Sequence, residues 1–313
     1  MFKAVVIRDS IGPNGIRLTT MALTYPRFIH SELLTHRDRA RNSASSRAIP
    51  WKKYKKDAPG AISTHEYEAG MISRNDYVKN MVSNCMYSMI ASEPVVPIFI
   101  GSEKPGMQAG DELQGADREK VVNLILQMRD FCLEKCDEMA KLGAHKSIVN
   151  RYVEPWMWMT ALYTATEWKN FFRLRVHPDA ERHFNLIASM AKEERERSVP
   201  TQLKAGEWHL PYFDLEDGIE IARRGLHHVE PHAKQKISAG RCARLSYLTH
   251  EGKRDIAEDV KLAQKLIERP DDVLHASPLE HVAQASDDPN LRSGPFRGWF
   301  QFRKLFPNEN VEG

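Results

Sequence analysis

Hydrophobic and polar positions near the start of the chain alternate before they change to a helical spacing. Residues 2–8 are rich in Val and Ile and predict a strand, and a second strand is predicted near residues 16–24. Between them, residues 12–15 read Gly-Pro-Asn-Gly, which is a turn sequence. From Pro26 to about Arg37 the apolar residues recur at helical spacing. The pattern therefore predicts a β-hairpin followed by a helix.

Helical patterns dominate the rest of the chain. They predict helices at about 74–92, 117–142, 146–173, 178–197, 216–226, 241–247 and 255–268. The third of these contains Pro155, which predicts a kink or a break. Short strands are predicted at 94–100 and 234–238. We therefore expect an α+β fold that is mostly helical.

Composition narrows the class of protein but does not name a function. The 313 residues suit one large domain or two small ones, and 42% apolar with 28% charged residues is ordinary for a soluble globular protein. The net charge of +3 does not by itself indicate a nucleic-acid coat or a membrane surface. No apolar run approaches the ~20 residues that cross a bilayer, and the N-terminus lacks the apolar core of a signal peptide. We expect a cytoplasmic protein.

Neither the cysteines nor the histidines predict a metal site. The four cysteines, at positions 85, 132, 136 and 242, include no CxxC pair, so free thiols in a reducing compartment are expected. His227, His228 and His232 lie close together, but Pro231 interrupts any helix that would align them. Surface histidines are the better interpretation, and we expect no metal site.

A basic segment rich in hydroxyl groups lies between Arg27 and Lys56. It contains nine Lys or Arg and only two acids, Glu32 and Asp38. Guanidinium groups with hydroxyl and amide donors can hold phosphate oxygens in a fixed geometry, which favours a phosphate or nucleotide site. On composition alone, a solvated basic loop that binds no ligand is an alternative interpretation. Nucleic-acid backbone binding is a third interpretation, supported by four lysines at 52–56 and opposed by the nearly balanced overall charge.

Part of this segment resembles a known sequence signature. Residues 35–48 are similar to RHRxxSxNxxSxRY, the motif of the flavin-dependent thymidylate synthases, with matches at His36, Arg37, Asn42, Ser45 and Arg47. The departures are Thr35, Ala40 and Ala48, and Ser43 stands where the family commonly has Glu.

Three further blocks strengthen the resemblance. Residues 167–181 are similar to the family's NFLxLR…hAQxEI helix, and Leu174 and Arg175 match it. Residues 243–247 resemble AARVSF, although Arg244 could equally make a structural salt bridge, and residues 275–281 resemble HxTPFEH. The last two blocks usually precede the first motif. The resemblance therefore implies a circularly permuted single domain over residues 1–313, in which 239–285 correspond to the family's usual N-terminal part.

The resemblance implies a fold, a reaction and a set of site residues. The family has a small antiparallel sheet among helices, and it converts dUMP to dTMP with FAD, NADPH and methylenetetrahydrofolate. By resemblance, the flavin would be bound by His36, Arg37, Arg175 and His275. The nucleotide would be bound by Asn42, Ser43, Ser45, Ser46 and Arg47, with Arg151 as an additional cation. The catalytic role would fall to His36, Arg37, Ser45 and His275.

The family assembles homotetramers with active sites at subunit interfaces, so we expect self-association. The aromatic residues near the C-terminus are then either a core plug or part of that interface: Trp299, Phe300, Phe302 and Phe306. Neither a membrane nor a nucleic acid is expected as a partner.

Two alternatives to a thymidylate synthase stay open. Ser43 and Ala48 alter polar partners of the pyrimidine site, which could change the accepted base or product, as in a hydroxymethylase or a dCMP-acting enzyme. A non-enzymatic nucleic-acid binder that uses residues 27–56 would be colourless and would bind polynucleotide in a salt-dependent manner.

Overall fold

The computed structural model describes residues 2–45, 95–246, 255–268 and 274–309. The predicted helix at 74–92 and the predicted site residues Ser46 and Arg47 lie outside these ranges. The descriptions that follow apply to the described residues.

A five-stranded sheet forms the centre of the molecule. In chain order its strands are β1 (Lys3–Ile11), β2 (Arg17–Pro26), β3 (Ala40–Ser43), β4 (Trp158–Ala165) and β5 (Thr201–Gln202), and their order in the sheet is β3-β4-β2-β1-β5. The hairpin predicted at the N-terminus is confirmed, with β1 at Lys3–Ile11 antiparallel to β2 at Arg17–Pro26. Strand β3, Ala40–Ser43, forms one edge beside β4, and β5, Thr201–Gln202, pairs in parallel with β1 at the other. The sheet is therefore larger than expected and is not wholly antiparallel.

Strand β4, Trp158–Ala165, lies inside the segment 146–173, which was predicted to be a helix kinked or broken at Pro155. The prediction is confirmed at both ends, by the helices Lys146–Val149 and Lys169–Arg175. It is wrong between them, where a 3-10 helix at Asn150–Trp156 precedes the strand. All eight residues of β4 are buried, since the strand is covered on both faces. Such a strand has no alternating pattern to distinguish it from a buried helix.

Most of the other predicted helices are confirmed, with small shifts at their ends. The α-helices are His30–Leu34, Gly115–Lys141, Lys146–Val149, Lys169–Arg175, Arg182–Arg197, Leu215–Arg223, Leu226–Val229, Ala233–Ala243 and Ile256–Ile267. The remaining 3-10 helices are Arg27–Ile29, Arg244–Ser246, Ser277–His281, Phe302–Leu305 and Pro307–Glu309. The remaining strands are β6 to β10: Trp208–His209, Ala283–Ala285, Arg292–Ser293, Phe296–Arg297 and Trp299–Gln301.

Two predicted strands are wrong. Residues 234–238 belong to the helix Ala233–Ala243, in which every residue except Lys234 is buried, so the helical period is hidden. Residues 95–100 form no strand in the described chain; Val95 donates a single backbone hydrogen bond to the Trp156 carbonyl.

The main core of the described chain lies between the central sheet and two helices, Lys169–Arg175 and Arg182–Arg197. Met21, Tyr163 and Phe184 are fully buried there. On the other side, Trp299 and Phe302 are also fully buried, so these two aromatic residues are core residues rather than interface residues. The α+β class is confirmed. Within the described chain, no helix has the length and apolar character needed to cross a bilayer.

Candidate functional site

The residues of the first motif lie at the β3 edge of the sheet. His36 and Arg37 are in the loop between the helix His30–Leu34 and β3, whereas Asn42 and Ser43 are on β3 itself. The strand pairs with β4 from Ala40 opposite Thr164 to Ser43 opposite Ala161. The sheet therefore holds this motif against a central strand, and the sequence pattern does not predict strand β3.

His36 and Arg175 are joined directly, although 139 residues separate them. The Arg175 Nε–H donates a hydrogen bond of 2.9 Å to His36 Nε2. Burial, together with the charges of Arg39 and Arg175, lowers the pKa of His36 to about 4, while Asp38 acts in the opposite direction. His36 is therefore neutral near pH 7, with Nε2 as the acceptor and its hydrogen on Nδ1.

Aromatic rings support this pair. His36 contacts Phe171 edge to face, with ring centres 5.1 Å apart, and the Arg175 guanidinium lies 4.5 Å above the Phe184 ring centre. Both phenylalanines belong to the main core. The histidine and the arginine are therefore held by rigid helices rather than by the loop alone.

Arg39 is a buried cation that sequence analysis placed in the basic segment without giving it a role. It is 5% exposed, and its guanidinium carbon lies 4.1 Å from the Phe171 ring centre and 5.1 Å from that of Trp168. Burial lowers its pKa to about 10, so it stays charged. Because Phe171 also contacts His36, this stacking anchors the loop that carries His36 and Arg37. No sequence signal distinguishes this arginine from its solvated neighbours.

Asn42 connects the first motif to the C-terminal blocks. Its Nδ2 donates a hydrogen bond of 2.8 Å to the Cys242 carbonyl, next to the block at 243–247. Arg244 of that block donates to Asp259 Oδ1 at 2.7 Å and is 6% exposed, so the structural salt bridge is the correct interpretation for it. Asn42 therefore holds the end of the helix Ala233–Ala243 against β3, and Arg244 joins the following turn to the helix Ile256–Ile267.

His275 is not joined to the pair formed by His36 and Arg175. It is exposed, and in the described ranges its side chain has no hydrogen-bond partner. Its predicted flavin contact therefore stays a prediction. Ser43 and Ser45 are half-buried at the β3 edge, and Arg37 is exposed.

His281, at the end of the block at 275–281, belongs to a buried chain of hydrogen bonds. Its Nδ1 lies 2.8 Å from Thr164 Oγ1, which lies 2.7 Å from Thr20 Oγ1. Thr20 in turn bonds to His209 Nε2 at 2.8 Å, and His209 Nδ1 bonds to Ser10. Burial lowers the pKa of His281 to about 3. His281 is thus a core histidine.

Arg151 lines a cavity of about 370 Å³ between the segment 27–34 and the 3-10 helix Asn150–Trp156. Arg27, which lies 3.0 Å from Glu154, supplies a second guanidinium. The described residues that line it are Arg27, Phe28, His30, Ser31, Leu34, Arg151, Glu154 and Pro155. Two cations and one carboxylate give this lining a net positive charge, which suits an anionic ligand.

The thiols and potential metal ligands form no further site in the described ranges. Cys132, Cys136 and Cys242 are free, and burial raises the pKa of the Cys242 thiol well above its usual range. No cluster of three His, Cys, Asp or Glu side chains that could hold a metal ion occurs in the parts of the chain that the structure describes.

Comparisons with known proteins give only distant similarity. No family model matches the chain, and no curated protein matches it. Two similar solved structures are of the UMP/dUMP methylase PolB from Streptomyces cacaoi. The match to the structure bound with 5-Br UMP has a TM-score of 0.42 and 12% sequence identity, and it covers 63% of this chain and 89% of the PolB chain. The match to the structure bound with 5-Br dUMP has a TM-score of 0.39 and 14% sequence identity, and it covers 59% of this chain and 69% of the PolB chain. Similarity at this level assigns neither a family nor an activity.

Proposed function

We propose that this protein is a flavin-dependent enzyme that methylates the pyrimidine C5 of dUMP, with methylenetetrahydrofolate as carbon donor and NADPH as reductant. The observation that carries the proposal is the hydrogen bond from Arg175 to His36. The two residues belong to separate sequence blocks that each resemble the same enzyme family. A shared ancestry of the site predicts that such blocks meet, whereas a chance match of two short motifs does not.

The chemistry of the β3 edge fits a flavin. Arg175 and the exposed Arg37 supply positive charge, and neutral His36 presents an Nδ1–H donor. Such donors stabilise negative charge on a reduced isoalloxazine ring and on a pyrophosphate. When bound, the reduced flavin supplies the hydride for the reaction. The chain's own contribution is then to bind, to orient and to exclude water through the aromatic rings beneath His36.

The arginine-lined cavity is our candidate for the nucleotide monophosphate. Of the residues that the resemblance assigns to the nucleotide, its described lining includes Arg151 and not Asn42, Ser43 or Ser45, so this proposal replaces that part of the predicted site. Its volume of about 370 Å³ lies in the range of small-molecule sites. Arg27 and Arg151 suit the phosphate group, and the half-exposed ring of Phe28 offers a surface for a base. Glu154 limits the net positive charge, so the cavity suits a monophosphate better than a polyphosphate.

We also propose that the enzyme self-associates as a homotetramer. Leu124, Met128 and Phe131 follow one face of the helix Gly115–Lys141, and each is about half exposed. A contiguous apolar stripe of this kind is typical of a surface that a partner covers. Sedimentation of the purified protein measures the state directly.

The test of the proposed function is purification followed by absorbance and assay. We expect a yellow protein with flavin bands, and a dTMP product identified by mass after incubation with dUMP, methylenetetrahydrofolate, NADPH and FAD. Arg175→Ala removes the donor to His36 and should lower flavin content and kcat/KM by at least tenfold, the effect of losing roughly 1.5–3 kcal/mol from a charged hydrogen bond.

The matched control is Arg173→Ala, which removes the same charge from an exposed position of the same helix. It should retain flavin and turnover. A colourless wild-type protein that binds polynucleotide in low salt would contradict the proposal and favour the nucleic-acid binder. A product carrying a hydroxymethyl group would show that the protein is a hydroxymethylase instead of a thymidylate synthase. Turnover of dCMP alone would show that it is a dCMP-acting enzyme.

A further inference from the structure

A chain of three side chains leads from the main core to the arginine-lined cavity. His30 lines the cavity, and its Nδ1 lies 2.8 Å from the hydroxyl of Tyr25. The Tyr25 hydroxyl lies 2.8 Å from that of Tyr163. Both tyrosines are fully buried, so neither hydroxyl can turn to solvent for a partner.

The direction of these hydrogen bonds follows from the need to satisfy every buried hydrogen. In the described chain, the Tyr25 oxygen is the hydrogen-bond partner of the Tyr163 hydroxyl. If Tyr163 donates to Tyr25, Tyr25 donates to His30 Nδ1 and no hydroxyl hydrogen is left over. The reverse order would leave the Tyr163 hydrogen buried without an acceptor, which is unfavourable.

The tautomer of His30 is fixed as a result. An imidazole that accepts at Nδ1 and is neutral must carry its hydrogen on Nε2. Burial, together with Arg27 and Arg41, lowers the pKa of His30 to about 4, while Glu154 acts in the opposite direction. Among the described residues, Nε2 has no hydrogen-bond partner. His30 thus presents one neutral N–H donor from the wall of the cavity.

We infer that His30 is a ligand-binding residue that donates its Nε2 hydrogen to a phosphate oxygen of the nucleotide, and that Tyr25 and Tyr163 are positioning residues that fix its tautomer. Arg27, Arg151 and Ser31 are further donors on the described part of the cavity wall, and this set of donors matches an oxyanion. A neutral donor adds specificity without adding charge beside two guanidinium groups. The inference rests on the proposed function, because that proposal places the nucleotide in this cavity.

The tautomer is measured first, without flavin or folate. Nitrogen-15 chemical shifts of labelled histidine in the full-length protein distinguish the two neutral forms. We expect His30 in the Nε2–H form in the wild type, and a mixture of both forms in Tyr25→Phe, which removes the donor to Nδ1. An Nδ1–H form in the wild type would overturn the inference.

Binding is measured next by calorimetry with dUMP and with deoxyuridine as the matched ligand that lacks phosphate. His30→Leu should weaken dUMP binding by about 10- to 100-fold, as expected for a hydrogen bond to a charged group, and should leave deoxyuridine binding unchanged. His30→Gln keeps an N–H donor and should retain most of the affinity. Wild-type affinity of His30→Leu for dUMP would overturn the inference, and so would an equal loss for both ligands.

Failure of the inference can be separated from failure of the proposed function. If the wild type turns over dUMP while His30→Leu binds it normally, only the role of His30 is wrong. If dUMP does not bind but inorganic phosphate shifts the His30 Nε2 signal, the oxyanion site stands and the nucleotide proposal falls. If neither ligand affects His30, both proposals are wrong.

Discussion

Four histidines of the described chain have a pKa that burial lowers. Burial lowers the pKa of His30 and of His36 to about 4, that of His281 to about 3, and that of His209 well below its usual value. All four are therefore neutral near pH 7. His30 and His36 can serve as hydrogen-bond donors at candidate binding sites, whereas His209 and His281 bond to threonines inside the sheet.

The lowered pKa values predict a stability that depends on pH. On unfolding, the pKa of each histidine rises to about 6.5, so below that pH the unfolded chain binds more protons than the folded one. The contribution of each histidine to the free energy of unfolding is therefore complete above pH 6.5 and is lost as the pH falls toward 4. For a fully buried histidine the slope is at most about 1.4 kcal/mol per pH unit. Urea denaturation between pH 7.5 and pH 5 should show the free energy of unfolding decreasing with acidity.

His281→Gln serves as the control for this prediction. Glutamine can still bond to Thr164 but does not titrate, so the dependence on pH should become shallower. An identical slope in the variant would show that His281 does not contribute protons to unfolding.

At the scale of elements, the helices Ala233–Ala243 and Ile256–Ile267 cross in very close contact. The cause is Gly240, where an added Cβ would stand 2.3 Å from the Asp259 carbonyl oxygen. Asp259 in turn accepts hydrogen bonds from Arg241 at 2.8 Å and from Arg244 at 2.7 Å. The glycine allows the approach and the buried ion pairs fix it, which positions the Cys242 carbonyl that receives Asn42.

Gly240→Ala should therefore destabilise the protein by about 1–3 kcal/mol, the range for overpacking, because the Asp259 backbone cannot move away cheaply. Gly218→Ala is the matched control, since it also lies within a helix but has no atom within 4 Å of an added Cβ. It should be neutral or stabilising by up to about 1 kcal/mol. Equal midpoints of urea denaturation for the two variants would contradict the packing argument.

At the scale of the whole molecule, the two ends of the described chain are packed together. Asn14 in the N-terminal hairpin donates hydrogen bonds to the carbonyls of Ser286 and Gly298. Trp299 donates from Nε1 to the Ile16 carbonyl at 3.1 Å and packs against Leu18. This closure brings the C-terminal blocks beside the first motif, an arrangement compatible with the proposed permutation, which itself stays a prediction.

Trp299→Ala should lower the free energy of unfolding by about 3–5 kcal/mol, because it removes a fully buried ring from the cluster with Leu18 and Phe296. Phe300→Ala on the same strand is the control, since Phe300 is only half-buried. We expect Phe300→Ala to lower the midpoint of thermal unfolding clearly less than Trp299→Ala does. A larger loss for Phe300→Ala would contradict the assignment of Trp299 to the core.

The sequence alone determined the elements whose signals are local. The hairpin was predicted because segments rich in β-branched residues flank a turn sequence. The helices Gly115–Lys141 and Ile256–Ile267 were predicted because their apolar positions recur with a helical period. It also identified His36 and Arg175 as residues of interest, because their motifs are local. Strand β4 and the helix Ala233–Ala243 were missed, since nearly every position in them is buried and the period disappears.

Only the tertiary structure decided which distant residues meet. It joined His36 to Arg175, enclosed Arg39 among aromatic rings, and directed His30 toward a cavity through two buried tyrosines. It also showed His281 buried in the core and His275 exposed, although the two histidines share one motif. Such contacts depend on the path of the whole chain, and burial then sets the charge and tautomer of each group, so no local pattern contains them.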